Sequence, residues 1–507
     1  MTVSKVQGIA LMGMRAEIVE VEVDISDGLP GYSLLGLPDA ALMESKERVR
    51  SALINSGASW PNKRVTVSLS PAWLHKSGSG FDLPIATALL VAQGLLQQER
   101  LNACVVLGEL ALDGAIKSVR GVLPAVLGAL ENGLSCALVP MSNVWEVEGI
   151  SGIGIIGVSH LREVIEYFAE GVLPIPPRAS SQQEVVDESK NYSDVVGQAG
   201  GRLALEMAAI GGHHALLIGP PGTGKTMLAE RMPTIMPPLT QSEAISVAAV
   251  HSIAGSTLNR NGNNRTPPFI APHHTTTTTA MVGGGSHYIK PGACSLAHGG
   301  VLFIDEAPEC SSGVLDSLRQ PLESQTVSIS RAIGTVDFPA DFLLILAANP
   351  CPCGRYTGKG RACTCSSVQL RRYLQRLSGP LMDRIDIRAL IQVPSRTELA
   401  SQVPGESSEV IRARVVAARK VAAERFEGLG WQQNSRIPPN QLRGRFAATQ
   451  KGMAFLHAEL DREQLSARGY HKVLRLAWTF ADRNGSGAPS LEDVQSAYAM
   501  RNGALAQ

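Results

Sequence analysis

Over the first 175 residues, apolar and polar positions alternate in short blocks. Val19, Val21 and Val23 stand against Glu20, Glu22 and Asp24, the period of a half-buried strand. Residues 64–70, 105–112 and 136–140 read as further strands. Residues 39–57 read as a helix with Lys46, Arg48 and Arg50 on its wet side, and 84–96 as an apolar helix. A Pro- and Ser-rich stretch, 174–183, then breaks the pattern as a linker would. Beyond it, 202–210 reads as a helix, and short apolar runs at 215–218, 300–304 and 342–348 predict buried strands. Residues 314–322 read as a helix, and 327–338 as a β-hairpin. Between 271 and 285, five threonines predict extended chain and three glycines a flexible hairpin tip. From 396 onward the period is helical, at 409–425, 452–460, 466–481 and 491–498. The pattern predicts an α/β multidomain chain: a front domain over 1–175, a linker over 176–192, an α/β core over 193–395 and a helical part over 396–507.

Two of the apolar runs end in chemistry. Gly219, Pro220, Pro221, Gly222, Thr223, Gly224, Lys225 and Thr226 fit G-x-x-x-x-G-K-[ST], between a strand and a helix start. That is the context a phosphate-binding loop requires. Its glycines let backbone N–H groups point at phosphate oxygens. Lys225 is expected to reach the outer phosphates, and the Thr226 hydroxyl to ligate Mg²⁺. The run at 300–304 ends in Asp305 and Glu306. Adjacent carboxylates at a buried strand tip call for a cation or solvent. Asp305 is expected in the Mg²⁺ shell, and Glu306 beside the attacking water. Asn349 ends the third run, where a polar side chain can hydrogen-bond a γ-phosphate or water. ATP hydrolysis is the expected reaction.

Composition changes this picture little. The 507 residues carry 46 Lys+Arg and 45 Asp+Glu, a net charge of +1, so any surface for nucleic acid is local. No basic-plus-apolar leader is visible, and no run of 18 apolar residues occurs, so neither export nor a membrane span is expected and the cytoplasm is the expected compartment. Cys351, Cys353, Cys363 and Cys365 form two close pairs within a 350–366 loop. Without export, four such thiols read as Zn²⁺ ligands rather than disulfides. Between the pairs, Arg355, Tyr356, Lys359 and Arg361 suit phosphate contact and base stacking. A plain soluble loop is the competing reading. His273 and His274 invite a metal reading, but adjacent histidines on a strand point apart and no further ligand pattern accompanies them.

Several segments resemble known families. Residues 76–84 and 108–114 resemble the signatures of the Lon-protease-like domain. Aligned on them, the serine nucleophile falls on Gly80 and the lysine base on Leu123, neither of which can do the chemistry. A dyad shifted to Ser77 or Ser79 with Lys117 is the competing idea. In order along the chain, the degenerate front, the phosphate loop, 273–285, 300–306, the cysteine pairs and 381–387 resemble the ComM/YifB family of magnesium-chelatase-like AAA+ ATPases. The resemblance implies a Lon-like α/β front without proteolysis, an AAA+ P-loop core with a zinc-binding insertion and a C-terminal helical lid. It places Val196 and Gln198 near the adenine. It gives Asn349 the sensor 1 role, and Arg468 that of a lid arginine contacting the γ-phosphate. Arg384 would reach into a neighbouring subunit's site. His273 and His274 would fall on a hairpin facing the pore and are DNA-contact candidates with Arg355, Lys359 and Arg361. The implied activity is a homo-hexameric, ATP- and Mg²⁺-dependent DNA translocase or helicase. It would act on single-stranded and branched DNA, promoting branch migration during recombination in natural transformation. A motor for a metal chelatase, an ATP-dependent peptidase and a non-enzymatic scaffold are the alternatives.

Overall fold

The computed structural model describes residues 3–76, 78–171, 190–256, 264–285, 288–331, 334–356, 362–396, 398 and 405–503. Most of the expected linker, together with Ser77, Lys359 and Arg361, lies outside them.

Seven strands form the front sheet: β1 (Ser4–Met12), β2 (Arg15–Ser26), β3 (Gly31–Leu35), β4 (Arg64–Ser70), β5 (Cys104–Val106), β6 (Cys136–Pro140) and β7 (Gly154–Val158). Their order is β3-β4-β2-β1-β5-β6-β7. Val19, Val21 and Val23 of β2 are fully buried, as the alternation requires. The helix expected over 39–57 is two, Ala40–Met43 and Ser45–Asn55. The strand expected over 105–112 is likewise two short pieces, Cys104–Val106 and Glu109–Leu110. Between them the chain must pass Leu83: a Cβ on Gly108 would lie 2.9 Å from its Cδ2.

The second sheet is parallel: β8 (Ala215–Ile218), β9 (Phe269–Ile270), β10 (Val301–Ile304), β11 (Leu343–Ala348) and β12 (Ile387–Leu390), in the order β9-β10-β11-β8-β12. β10 and β11 are buried along their whole length, which is why they read as continuous apolar runs. Every strand runs the same way, so the sheet has two chemically distinct edges. The C-terminal edge carries the residues that follow each strand. The N-terminal edge carries those that precede it.

The C-terminal helices Ser408–Arg425 and Ala467–Asn484 pack on the core helix Ala199–Gly211, sharing one apolar cluster with β8, β11 and β12. The helix Gln241–Ala254 joins front and core. Its Ala248 and Ala249 pack among Val122, Val126 and Val105. Ser252 Oγ donates to Glu146 Oε2 at 2.6 Å, and Gly121 N to Ser252 O at 3.1 Å.

The threonine run departs from expectation. Thr278–Val282 is a helical turn, not extended chain, because Thr277 caps it by accepting a hydrogen bond from Ala280 N. Gly283–Gly284 then pairs with Lys290–Pro291 in a small antiparallel ladder. Among the described residues no helix is long and apolar enough to cross a membrane.

Candidate functional site

The C-terminal edge of the parallel sheet gathers the nucleotide motifs. β8 runs into the loop at 219–224, where Gly222 (φ 76°) and Gly224 (φ 86°) hold left-handed conformations that other residues resist. The Lys225 Nζ, almost fully buried, donates to Gly219 O at 2.7 Å, Pro220 O at 2.9 Å and Asn349 Oδ1 at 3.2 Å. Burial draws this ammonium's pKa below the usual lysine range, and Asp305 and Glu306 oppose the shift. Thr226 Oγ1 donates to Asp305 Oδ2 at 2.6 Å. One hydroxyl and one carboxylate therefore converge where a hard divalent cation would take oxygen ligands.

Glu306 follows Asp305 in a left-handed conformation, φ 50°, and its N–H donates to Asp305 Oδ1 at 2.8 Å. His274 Nδ1 lies 3.4 Å from Glu306 Oε2. The expectation that His273 and His274 diverge is not met. The segment is a turn rather than a strand, and the two rings lie side by side, centroids 4.1 Å apart and planes tilted by 34°. His273 is exposed and His274 half-buried against the carboxylate. Gln198, itself at φ 58°, donates from Nε2 to Thr223 O at 3.0 Å and Gln392 O at 2.5 Å. Val196, partly exposed, sits two residues before it.

The cysteine loop stands on the same edge, directly after Asn349. Cys351 and Cys353 Sγ are 3.3 Å apart, Cys353 and Cys363 3.6 Å, and Cys363 and Cys351 3.7 Å. All four thiols, Cys365 included, lie within 4.8 Å of one another. A tetrahedral ion with bonds of about 2.3 Å sets thiolates about 3.8 Å apart, so the four sulfurs fit Zn²⁺. Backbone N–H groups of Thr364 and Arg355 draw the Cys353 thiol down to about 5, favouring the thiolate. The loop also touches the phosphate loop. Gly354, at φ 72°, approaches Pro221 so closely that a Cβ there would lie 2.6 Å from its ring. Arg355 and Tyr356 project from this loop into solvent.

Arg384 and Arg468 are elsewhere. Arg468 Nη1 pairs with Asp383 Oδ2 at 2.8 Å. Arg384 bonds Glu323 and donates to Pro380 O at 2.6 Å. Arg384 and Asp383, the partner of Arg468, precede β12, whose Ile387 pairs with Ala215 at the start of β8. The four residues of β8, at about 3.3 Å each, separate that edge from the phosphate loop by about 13 Å. Arg468 therefore does not reach the phosphate loop of its own chain.

A buried network ties lid to core on this second edge. His213 Nδ1 and Lys472 Nζ lie 2.9 and 2.7 Å from the two Asp386 oxygens, and His213 Nε2 lies 2.8 Å from Thr479 Oγ1. Burial alone would raise the Asp386 pKa, but Lys472 and His213 hold it well below the usual carboxylate range. No spacing in the sequence foretells this cluster. Its members are up to 266 positions apart.

In the front domain, Gly80 has no atom closer than 4.0 Å to where a Cβ would be, whereas Leu123 is fully buried among apolar side chains. A serine would fit at the first position, but the second is closed to a lysine. Lys117 is exposed. The buried acid nearby, Asp82, takes two bonds from Arg48, at 2.7 and 3.0 Å.

Comparison with known proteins accords with this layout. Residues 191–399 match the family model of "Magnesium chelatase, subunit ChlI", 21–143 that of "Subunit ChlI of Mg-chelatase", and 405–501 its C-terminal region. The chain is 40% identical over 505 residues to the uncharacterized protein YifB of Escherichia coli, covering 99% of this chain and 97% of that one. It is 39% identical over 492 residues to the competence protein ComM of Haemophilus influenzae, covering 96% and 94%. A partial match, 30% identical over 198 residues, covers 34% of this chain and 36% of Lon protease 2 of Bacillus subtilis.

Proposed function

The chain belongs to the ComM/YifB family of magnesium-chelatase-like AAA+ ATPases, and from that premise we propose that it is an ATP-driven DNA motor. In this reading it assembles as a homo-hexamer and moves single-stranded and branched DNA, driving branch migration during uptake-linked recombination. The similarity to a competence protein supports that setting. The observation that carries the motor reading is the convergence of Lys225, Thr226, Asp305, Glu306 and Asn349 on one sheet edge.

Each residue then has a task. Lys225 exchanges its carbonyl partners for phosphate oxygens. Thr226 and Asp305 hold Mg²⁺, which when bound offsets charge on the outer phosphates. Glu306 orients the attacking water, and His274 sets the direction of its carboxylate. Asn349 senses the γ-phosphate. Gln198 fixes the segment near the base against the phosphate loop. Arg384 and Arg468, on the opposite edge, serve the nucleotide of a neighbouring subunit, which makes a ring necessary for turnover. Zn²⁺ on the four cysteines stiffens the loop that presents Arg355 and Tyr356 to DNA. Residues 1–175 serve as a non-proteolytic front, 193–395 as the motor and 396–507 as the lid.

A chelatase motor is the second reading, favoured by the names of the matching family models. It shares the ATPase edge and would respond to a tetrapyrrole-binding partner instead of DNA. The deciding experiment is ATP hydrolysis by the full chain with single-stranded, double-stranded and four-way-junction DNA. Stimulation by DNA that weakens steeply with salt is expected. Glu306→Gln should bind ATP, form rings and fail to move junctions. Junction movement that survives Glu306→Gln, or turnover indifferent to every DNA, would refute the assignment.

A further inference from the structure

The N-terminal edge of the parallel sheet opens on a cavity of about 480 Å³, walled by the core on one side and the lid on the other. This volume is within the range of small-molecule sites. Its acids are already engaged. Asp341 pairs with Arg436 at 2.5 Å, and Asp386 with Lys472 at 2.7 Å. At the mouth, Asp383 pairs with Arg468 and Glu323 with Arg384. Glu243 caps its own helix, accepting from Thr240 N at 2.7 Å.

Two guanidinium groups are left over. Arg419 donates its Nε to Ala209 O and Arg475 its Nε to Ile437 O, both at 2.8 Å. Among the described residues neither forms an ion pair. Burial draws Arg419 down to about 10 and also lowers Arg475, against the opposing pull of Glu243 and Asp341 on the first and of Asp386 on the second. A third donor lines the same cavity from the core, His214. His214 Nδ1 accepts from Leu344 N at 3.1 Å, so the ring proton sits on Nε2. Burial pulls this imidazole to about 4, so it stays a neutral donor near pH 7.

We propose that this cavity binds a small polyphosphate-bearing anion, with the terminal nitrogens of Arg419 and Arg475 and the His214 Nε2–H as its donors. Arginine forks suit phosphate oxygens, and two half-buried guanidinium groups without an ion pair among the described residues make an anion the ligand this lining favours. The site is separate from the phosphate loop, about 13 Å away across β8. It is also deeper than Arg384 and Arg468, the residues assigned to a neighbouring subunit. Its donors come from the core and from two lid helices, so an occupant fastens lid to core.

The test is calorimetric titration of the full chain carrying Lys225→Ala with inorganic tripolyphosphate in excess chelator, which silences the phosphate loop. Saturable binding is expected, about one per chain. Arg419→Gln and Arg475→Gln should each weaken it at least tenfold, Arg475→Lys less, and Arg384→Ala not at all. Bound tripolyphosphate should slow hydrogen exchange over 207–214 and 471–478, a readout independent of affinity. Melting curves identify any variant that fails to fold, and Arg475→Lys then decides. No saturable binding, binding unmoved by both glutamine variants, or binding confined to assembled rings and lost in Arg384→Ala would overturn the proposal.

Discussion

Gly354→Ala is the most informative single change, because it tests whether the cysteine loop and the phosphate loop act as one unit. Two costs arise at that position. The left-handed backbone, φ 72°, costs an alanine about 1 kcal/mol. The added Cβ would also lie 2.6 Å from Cγ and Cδ of Pro221, about 1 Å inside a comfortable carbon–carbon distance. Both neighbours are backbone-anchored rings or turns, so one loop must move. Overpacking of this kind costs about 1–3 kcal/mol. A shift of about 1 Å at Pro221 would misplace the N–H groups of the phosphate loop. Loss of one charge-assisted bond to a phosphate, about 1.5–3 kcal/mol, corresponds to roughly ten- to hundredfold weaker ATP binding. Gly428→Ala is the control. It carries the same backbone cost at φ 74°, with nothing within 4 Å of the new Cβ. The assay is fluorescent-nucleotide binding alongside zinc content. Gly354→Ala should weaken nucleotide at least tenfold while zinc stays bound, and Gly428→Ala should change neither. Wild-type affinity in Gly354→Ala would refute the coupling.

Other outcomes follow from the same geometry. Released metal should read close to one Zn²⁺ per chain in a colorimetric assay, and Cys363→Ser should lower it sharply without unfolding the β8–β12 sheet. Lys472→Met leaves the Asp386 charge buried without its ammonium and should cost about 3–5 kcal/mol in denaturant unfolding near pH 7. The sign with pH is fixed. A carboxylate with a depressed folded pKa stabilises above its unfolded pKa, and that stability is lost as pH falls through the folded value. The mutant's Asp386 can protonate sooner, so the gap from wild type should narrow in acid; a constant gap would count against the pairing. Mixing Lys225→Ala chains with Arg384→Ala chains should restore part of the ATPase activity that each lacks alone, if Arg384 serves a neighbour's site. Gly80→Ser should leave casein uncleaved, since fully buried Leu123 offers no base.

Why some of this was legible in the sequence and some was not has a physical cause. The phosphate loop, Asp305-Glu306 and Asn349 could be read because each ends a fully apolar strand, and parallel strands deliver their C-terminal residues to a common edge. The four cysteines could be read because two short loops suffice to bring them together. The threonine run could not be read from propensity. A single Thr277 side chain capping Ala280 N outweighs the β-preference of its neighbours. The helix Gln241–Ala254 carried no amphipathic stripe, since the front domain covers one face and the core another, and both faces are apolar. Arg468 was harder still. Its motif names a chemical role, but only the parallel pairing of β12 with β8 sets its partner Asp383 on the edge opposite the phosphate loop. Arg384 and Arg468 line the same cavity on that edge. One strand register thus separates the edge that carries the phosphate loop from the edge that carries Arg384 and the Asp383–Arg468 pair. Under the proposed reading each edge holds half a catalytic site, and head-to-tail closure of a ring is the arrangement that lets every site be complete.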